Sequence, residues 1–305
     1  MGGFMKSILF CAATCFALLL PGCTAPATQS ETALQYLGVL EDVADPQTNT
    51  YNYAARALFV SEGGKWQSIA SNCHYEDSSS DPTKCLPKNI GWISYDFGDP
   101  PKILTGTTPE SWKSSAEIGR QTVTINDTPT NTGDRNLDFS GWTEKPVYKP
   151  LILTSSERAD SKSDWSAAEL DLPTLTAVRE NFMSLFPTID KCDEPSGEQA
   201  ISDGDLLITG QVTSASGWAL AVVSATGSLC DGPVFDSPFS RYMFAVSPSG
   251  ESVLLGEGLR VVGGGDFNAD GRAELLVAIS RYNQDGYALY SDDFSDSTTV
   301  TWKYH

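Results

Sequence analysis

Apolar and polar positions alternate with a period of two along much of this chain. From residue 34 onward, Leu37, Val39 and Val43 share one alternating face, the pattern of a strand with one buried side. Ala57-Leu58-Phe59-Val60 and Trp66-Gln67-Ser68-Ile69 flank Glu62-Gly63-Gly64-Lys65. That arrangement predicts a hairpin closed by a glycine turn. Over 92–97, Trp92, Ser94 and Asp96 alternate with Ile93, Tyr95 and Phe97, and Pro100-Pro101 breaks the pattern before Ile103-Leu104. Residues 121–125 alternate again, and 127–138 read as loop, with Pro129 and Gly133 among polar neighbours. A further strand is predicted over 147–154, where Pro150 implies an edge or a bulge.

One stretch changes period. Leu175, Val178, Phe182, Leu185 and Phe186 recur at helical spacing. Pro173 suits a first turn, and Pro187 stops the helix. The apolar face is expected against a sheet edge, with a partner-binding helix as the alternative.

The C-terminal third repeats itself. Leu206-Leu207-Ile208 precedes Gly217-Trp218-Ala219-Leu220, and Leu275-Leu276-Val277 precedes Gly286-Tyr287-Ala288-Leu289. Both pairs are offset by 275 − 206 = 69 residues. Each unit reads as strand, hairpin loop, strand. The earlier copy has Gly197, Gln199 and Ile201 opposite Asp266, Asn268 and Asp270. Roughly fifteen short strands and one helix predict a single all-β domain.

The chemistry concentrates before the second copy, in Gly265-Asp266-Phe267-Asn268-Ala269-Asp270-Gly271-Arg272-Ala273-Glu274. Calcium takes about six to eight oxygens. Asp266, Asn268 and Asp270 alternate, so a tight curl turns their oxygens to one centre. Gly271 permits the sharp turn. Arg272 offers its carbonyl, and Glu274 closes the shell. An EF-hand needs Glu at the twelfth position, where this chain has Val277. A metal-free turn, with Asp and Asn capping their own backbone, is the other reading.

The spacing D-x-N-x-D-G-x-x-E before Leu-Leu-Val resembles the FG-GAP/VCBS repeats of integrin-type β-propellers. The resemblance is confined to residues 262–290. It implies a calcium loop joining two strands of a blade, with ligands Asp266, Asn268, Asp270, the Arg272 carbonyl and Glu274. Glu274 stands where that family usually has Asp. The implied fold is a small or irregular β-propeller-like domain with one inserted helix; a β-sandwich is the alternative. Lys149-Pro150-Leu151-Ile152, the region of Cys192, residues 258–274, Asp285-Gly286-Tyr287-Ala288-Leu289-Tyr290 and the closing Trp302-Lys303-Tyr304-His305 resemble bacterial exported proteins that carry such loops. That likeness implies a fold and no activity.

The first residues read as an export signal. Lys6 precedes an apolar run over 7–20 that is too short to span a bilayer. Leu20-Pro21-Gly22-Cys23 resembles a bacterial lipobox. The expected organisation is a lipoprotein signal peptide at 1–22, a tether at 23–34 and a β-rich domain at 35–305. Lipid on Cys23 would hold the chain at the cell envelope. Thr24 in place of Asp points to the outer membrane in a Gram-negative source. An ordinary secretory signal is the alternative.

Export changes the meaning of the cysteines. Of seven, Cys11 and Cys15 leave with the signal and Cys23 takes lipid, so 7 − 3 = 4 remain. Cys73, Cys85, Cys192 and Cys230 allow three disulfide connectivities in an oxidising compartment. Pairing nearest neighbours gives Cys73–Cys85 and Cys192–Cys230. A zinc site is the rival, with His74 as the one nearby histidine and no C-x-x-C pair.

Charge narrows the partners. The formal net charge is −19; residues 1–22 hold one Lys and no acid, so the mature chain carries −19 − 1 = −20. Such a surface disfavours nucleic acid and suits solubility. The sequence has no G-x-S-x-G, H-E-x-x-H or P-loop, and its two histidines are His74 and His305. The first expectation is therefore a calcium-stabilised, lipid-anchored binding or scaffold protein with a protein or glycan ligand. The alternative is a polysaccharide hydrolase, with paired carboxylates in a cleft lined by some of Trp66, Trp92, Trp112, Trp142, Trp165, Trp218 and Trp302. Core filling is the competing role for those indoles.

Overall fold

A computed structural model describes residues 34–45, 50–69, 89–94, 101–107, 118–123, 125, 149–157, 165–191, 197–225, 241–281 and 283–303. Among them the protein is all-β with a single α-helix. Residues from Ala33 onward form one compact unit. Cys23, Cys73, Cys85, Cys192, Cys230, His74, His305, Trp112, Trp142 and the loop expected at 127–138 lie outside the described residues.

The N-terminal sheet contains β1 (Gln35–Asp45), β2 (Thr50–Glu62), β3 (Lys65–Ser68), β4 (Ile90–Ser94), β5 (Lys102–Gly106), β6 (Arg120–Thr122) and β7 (Leu151–Thr154). Its order is β3-β2-β1-β7-β4-β5, with β6 also on β2. All pairings are antiparallel. The predicted hairpin is β2–β3; Gly63 and Gly64 turn it at φ 60° and 81°, the two positive values a tight hairpin turn requires. A bridge between Thr107 and Thr122 brings the end of β5 to β6, so the sheet curls around its own core of Leu40, Ile90, Trp92, Leu104 and Leu153. Pro150 precedes β7 and costs the ladder no hydrogen bond there. That frees β7 to lie inside the sheet, between β1 and β4, rather than at the expected edge.

The second sheet has order β14-β13-β12-β11-β8, where β8 is Trp165–Ala167, β11 Leu206–Ser214, β12 Ala219–Ala225, β13 Arg241–Val246 and β14 Ser252–Glu257. A two-stranded pair, β9 (Thr188–Lys191) and β10 (Gly197–Ala200), lies between helix and sheet in sequence. The third sheet is a plain meander, β15 (Leu259–Gly265), β16 (Glu274–Arg281), β17 (Gln284–Ser291) and β18 (Asp296–Lys303).

Alternation along β16 explains the stacking. Leu276 joins Leu37, Phe59, Leu289 and Trp302 in the core against the N-terminal sheet. Leu275, Val277 and Ile279 join Leu220, Val222 and Met243 in the core against the second sheet. A strand buried on both faces needs a near-continuous apolar run, which Leu-Leu-Val-Ala-Ile supplies. Each such Leu or Val contributes about 1.5–3 kcal/mol when fully buried.

Helix α1 (Leu172–Leu185) closes the other side of the second sheet. The Asp171 side chain accepts a hydrogen bond from the Thr174 amide at 3.0 Å and caps its N-terminus. Val178 and Phe182 are the residues it buries. Phe182 meets Phe186, Tyr242 and Phe244 with ring centroids 4.9, 5.3 and 6.2 Å apart. The helix covers the sheet's face and not its edge, because the inward side chains of β12 and β13 (Ala221, Val223, Tyr242, Phe244) form an apolar floor. The two repeat copies are both hairpins, β11–β12 and β16–β17, yet their registers differ. Leu276 pairs with Leu289, whereas Leu207 pairs with Ser224. Among the described residues no helix is long and apolar enough to cross a membrane.

Candidate functional site

The nine-residue stretch from Asp266 links the end of β15 to the start of β16 and curls on its own side chains. The Asp266 carboxylate accepts from the Asp270 amide at 3.0 Å and the Gly271 amide at 2.9 Å. Asn268 Oδ1 accepts from Asp270 at 3.1 Å, and Asp270 Oδ1 accepts from Arg272 at 2.9 Å. Ala269 and Gly271 take φ values of 58° and 88°, so the chain reverses its curvature twice within three residues. These bonds are the Asx-type caps that Asp and Asn make readily. They hold Asp266, Asn268 and Asp270 on the inner side of one bend.

Glu274 is set differently. It is 2% exposed. One oxygen accepts from the Trp66 indole at 3.1 Å and the other from the Phe267 amide at 2.7 Å. Burial pushes its carboxyl up to about 7; the bonds from Phe267 and Trp66 oppose this, and the charges of Asp270 and Asp266 add to it. The charges of Asp270 and Asp266 are thus felt at the buried carboxyl. Asn268 Nδ2 reaches the Gly64 carbonyl at 3.4 Å. Through Trp66 and Gly64 the loop is tied to the β2–β3 hairpin of another sheet. Outside the curl, the Arg272 guanidinium pairs with Asp270 at 3.4 Å and with Asp292.

Oxygen-only donors of this kind suit a hard cation such as calcium rather than zinc or copper. A divalent ion would also offset the repulsion from Asp270 and Asp266 that adds to the effect of burial on Glu274. The oxygens of Asp266 and Glu274 each accept one bond and keep a lone pair, whereas Asp270 Oδ2 already accepts from Asn268 Nδ2 at 3.2 Å and from the Arg272 guanidinium at 3.4 Å; the donor types are those calcium takes. Among the described residues no group of three or more His, Cys, Asp or Glu side chains is gathered closely enough to hold a metal ion. The loop is curled by its own amides, with Glu274 anchored inward.

A second polar group lies between the N-terminal and third sheets. Glu41 Oε1 accepts from Arg56 Nε at 2.9 Å and from the Tyr287 hydroxyl at 2.9 Å. Arg56, 4% exposed, also donates to the Ile118 carbonyl at 2.8 Å and lies 4.3 Å over the Trp302 ring. Burial alone would raise the Glu41 carboxyl, but Arg56, Arg120 and the Tyr287 hydroxyl bring it below its ordinary value. Asp285, on β17, accepts from Ser280 Oγ at 3.0 Å and is pushed up to about 6, mainly by burial and then by the Glu41 charge.

Trp66, Trp92 and Trp302 are at most 9% exposed and fill cores, while Trp165 and Trp218 pack at the margin between the second and third sheets. The role of Trp66 as partner of Glu274 was not legible in the sequence, since 208 residues separate them. The Glu41–Arg56–Tyr287 cluster was hidden too. Its one signal was three polar groups set into otherwise apolar strands. Comparisons with protein-family models, curated proteins and solved structures give no match.

Proposed function

We propose that this chain is a calcium-stabilised binding or scaffold protein of the bacterial cell envelope, anchored through lipid on Cys23. The observation that carries this reading is the curl over 266–274, which bends Asp266, Asn268 and Asp270 inward and pins the last meander to the β2–β3 hairpin. An ion there would be bound by Asp266, Asn268, Asp270, the Arg272 carbonyl and Glu274. Its part is structural: it offsets the negative charge of the loop and holds two strands in register. The loop's likeness to FG-GAP/VCBS repeats supports the same reading.

The test is calcium-dependent stability of the full chain. Alanine at both Asp266 and Asp270 removes any stabilisation by millimolar calcium. A double variant that responds to calcium like the parent would refute the assignment of these ligands. For the anchor, mass analysis of the mature N-terminus is expected to show acyl chains on Cys23, and an unmodified cysteine would refute it.

The polysaccharide hydrolase has one observation in its favour. Glu41 and Asp285 share a buried network that displaces their carboxyls in opposite directions, the relation expected of an acid and its partner. Arg56 and Tyr287 also occupy Glu41 as a structural ion pair would, so we place this reading second. Glycan turnover that disappears in Glu41→Gln and Asp285→Asn would promote it; no turnover on any glycan tested would remove it.

A further inference from the structure

A pocket of about 200 Å³ opens beside the loop. Trp165, Leu275, Tyr290 and Phe294 form its apolar walls, and Ser214, Ser216, Arg272 and Asp293 bring polar groups to it. It is built by β8, the β11–β12 turn, the end of the 266–274 loop, the strands β16 and β17, and the β17–β18 turn.

The walls are set by close packing. Phe294 is the hub, with ring centroids 5.7 Å from Trp165, 5.1 Å from Trp218 and 5.7 Å from Tyr290. The Trp165 ring lies so close over β15 that a Cβ on Gly264 would come within 2.2 Å of it. Only glycine allows that approach. The turn carrying Phe294 is unusual: Asp292, Asp293 and Phe294 all have positive φ, at 51°, 54° and 64°. Asp adopts this region readily, whereas an aromatic residue there is disfavoured by about 1–2 kcal/mol. The turn swings Phe294 back over the indoles.

The rim is cross-tied before any ligand arrives. Ser216 Oγ donates to Asp293 Oδ1 at 3.2 Å, joining two turns 77 residues apart. Ser214 and Ser216 share a hydrogen bond of 2.9 Å. Arg272 pairs with Asp292, joining the loop to the β17–β18 turn.

We propose that this pocket takes one pyranose ring at the end of a glycan, its apolar face against Phe294 and Trp165 and its hydroxyls on Ser216, Arg272 and Asp293. The size admits one ring, being below the roughly 300–1,000 Å³ of pockets that enclose drug-sized ligands. The lining decides the class. Hydroxyl, carboxylate and guanidinium groups approach from three turns around an aromatic floor. A sugar presents hydroxyls around its edge and C–H groups on its face, so it meets both. A buried aromatic side chain would match the floor and offer no hydrogen-bonding partner to the hydroxyl, carboxylate and guanidinium groups of the rim. The proposal rests on the binding-protein reading and deepens it by naming the ligand class; it does not require the ion.

The experiment is saturation-transfer NMR on the purified full chain in detergent micelles. The probes are the methyl glycosides of glucose, galactose, mannose and N-acetylglucosamine, with N-acetylphenylalanine amide as the peptide-like competitor. At least one glycoside is expected to show transfer concentrated on one ring face, with millimolar affinity. Phe294→Ala is expected to weaken it at least tenfold. Asp293→Asn, at an exposed carboxylate, is expected to weaken it at least threefold with an unchanged melting curve, which keeps the test valid if the first variant does not fold. Transfer to no glycoside, transfer unaffected by Asp293→Asn, or binding of the phenylalanine amide alone would overturn the proposal. Melting with and without calcium on the same sample separates the two readings. A calcium shift without glycoside transfer overturns the pocket and leaves the loop. Transfer without a calcium shift supports the pocket and removes the ion.

Discussion

At the scale of single residues, one buried acid, Glu274, and one half-buried acid, Asp285, set the energetics. Glu274 depends on Trp66, which is 9% exposed and donates its indole hydrogen to Oε1. Trp66→Phe keeps most of the ring and removes the donor. It is expected to destabilise the fold by about 1–3 kcal/mol, measured by urea unfolding; a loss under about 0.5 kcal/mol would show that the bond is not formed. Asp285 is a pH-dependent liability. Its folded carboxyl titrates at about 6 against an ordinary 3.8, so the folded state binds its proton more tightly than the unfolded state. The associated stability is fully present below about pH 4 and is lost as pH rises to about 6. Each tenfold difference in proton affinity between the two states is worth roughly 1.4 kcal/mol, so the loss amounts to about 3 kcal/mol. Asp285→Asn keeps an oxygen for Ser280 and is expected to raise stability at pH 7 and to flatten its slope between pH 4 and 6. An unchanged slope would contradict the burial argument.

At the scale of elements, α1 offers the sharpest contrast. Its sequence stripe includes Leu175, Val178, Phe182, Leu185 and Phe186, yet the structure buries Val178 and Phe182 and leaves Leu185 49% exposed. Phe182→Ala is expected to cost about 3–5 kcal/mol and Leu185→Ala under about 0.5 kcal/mol, again by urea unfolding. Similar costs would mean that the helix sits rotated on its sheet. The same element shows what the sequence could reveal. Helix limits, the β2–β3 turn and the β16–β17 hairpin were legible because periodicity, proline and glycine act locally. The place of β7 within its sheet was not legible, since strand order depends on partners far along the chain. The repeat was legible as two hairpins and misleading as a register, because the hairpins close differently: the last pair is Thr213 with Ala219 in β11–β12 but Arg281 with Gln284 in β16–β17, which encloses fewer residues. The loop's curl was legible from the spacing of Asp266, Asn268 and Asp270, but the inward anchoring of Glu274 was set by Trp66, a residue from another sheet.

At the scale of the molecule, polar groups join what the apolar cores stack. Tyr287 and Trp302 of the third sheet meet Glu41 and Arg56 of the N-terminal sheet. Removing one partner of a buried pair strands the other charge. Arg56→Met is therefore expected to cost about 3–5 kcal/mol, and the double change Glu41→Gln with Arg56→Met to cost less than Arg56→Met alone. Additive losses would show that the two side chains do not depend on each other. The loop over 266–274 forms the second tie between the same sheets, through Trp66 and Gly64, and it is the tie we assign to calcium. The most direct test is calorimetry of the full chain in 10 mM calcium against EGTA. With a dissociation constant of about 10⁻⁴–10⁻³ M, as in extracellular modules, stabilisation is about 1.4–2.7 kcal/mol, a rise in Tm of roughly 3–10 °C. A melting temperature that is the same in both buffers would contradict the account.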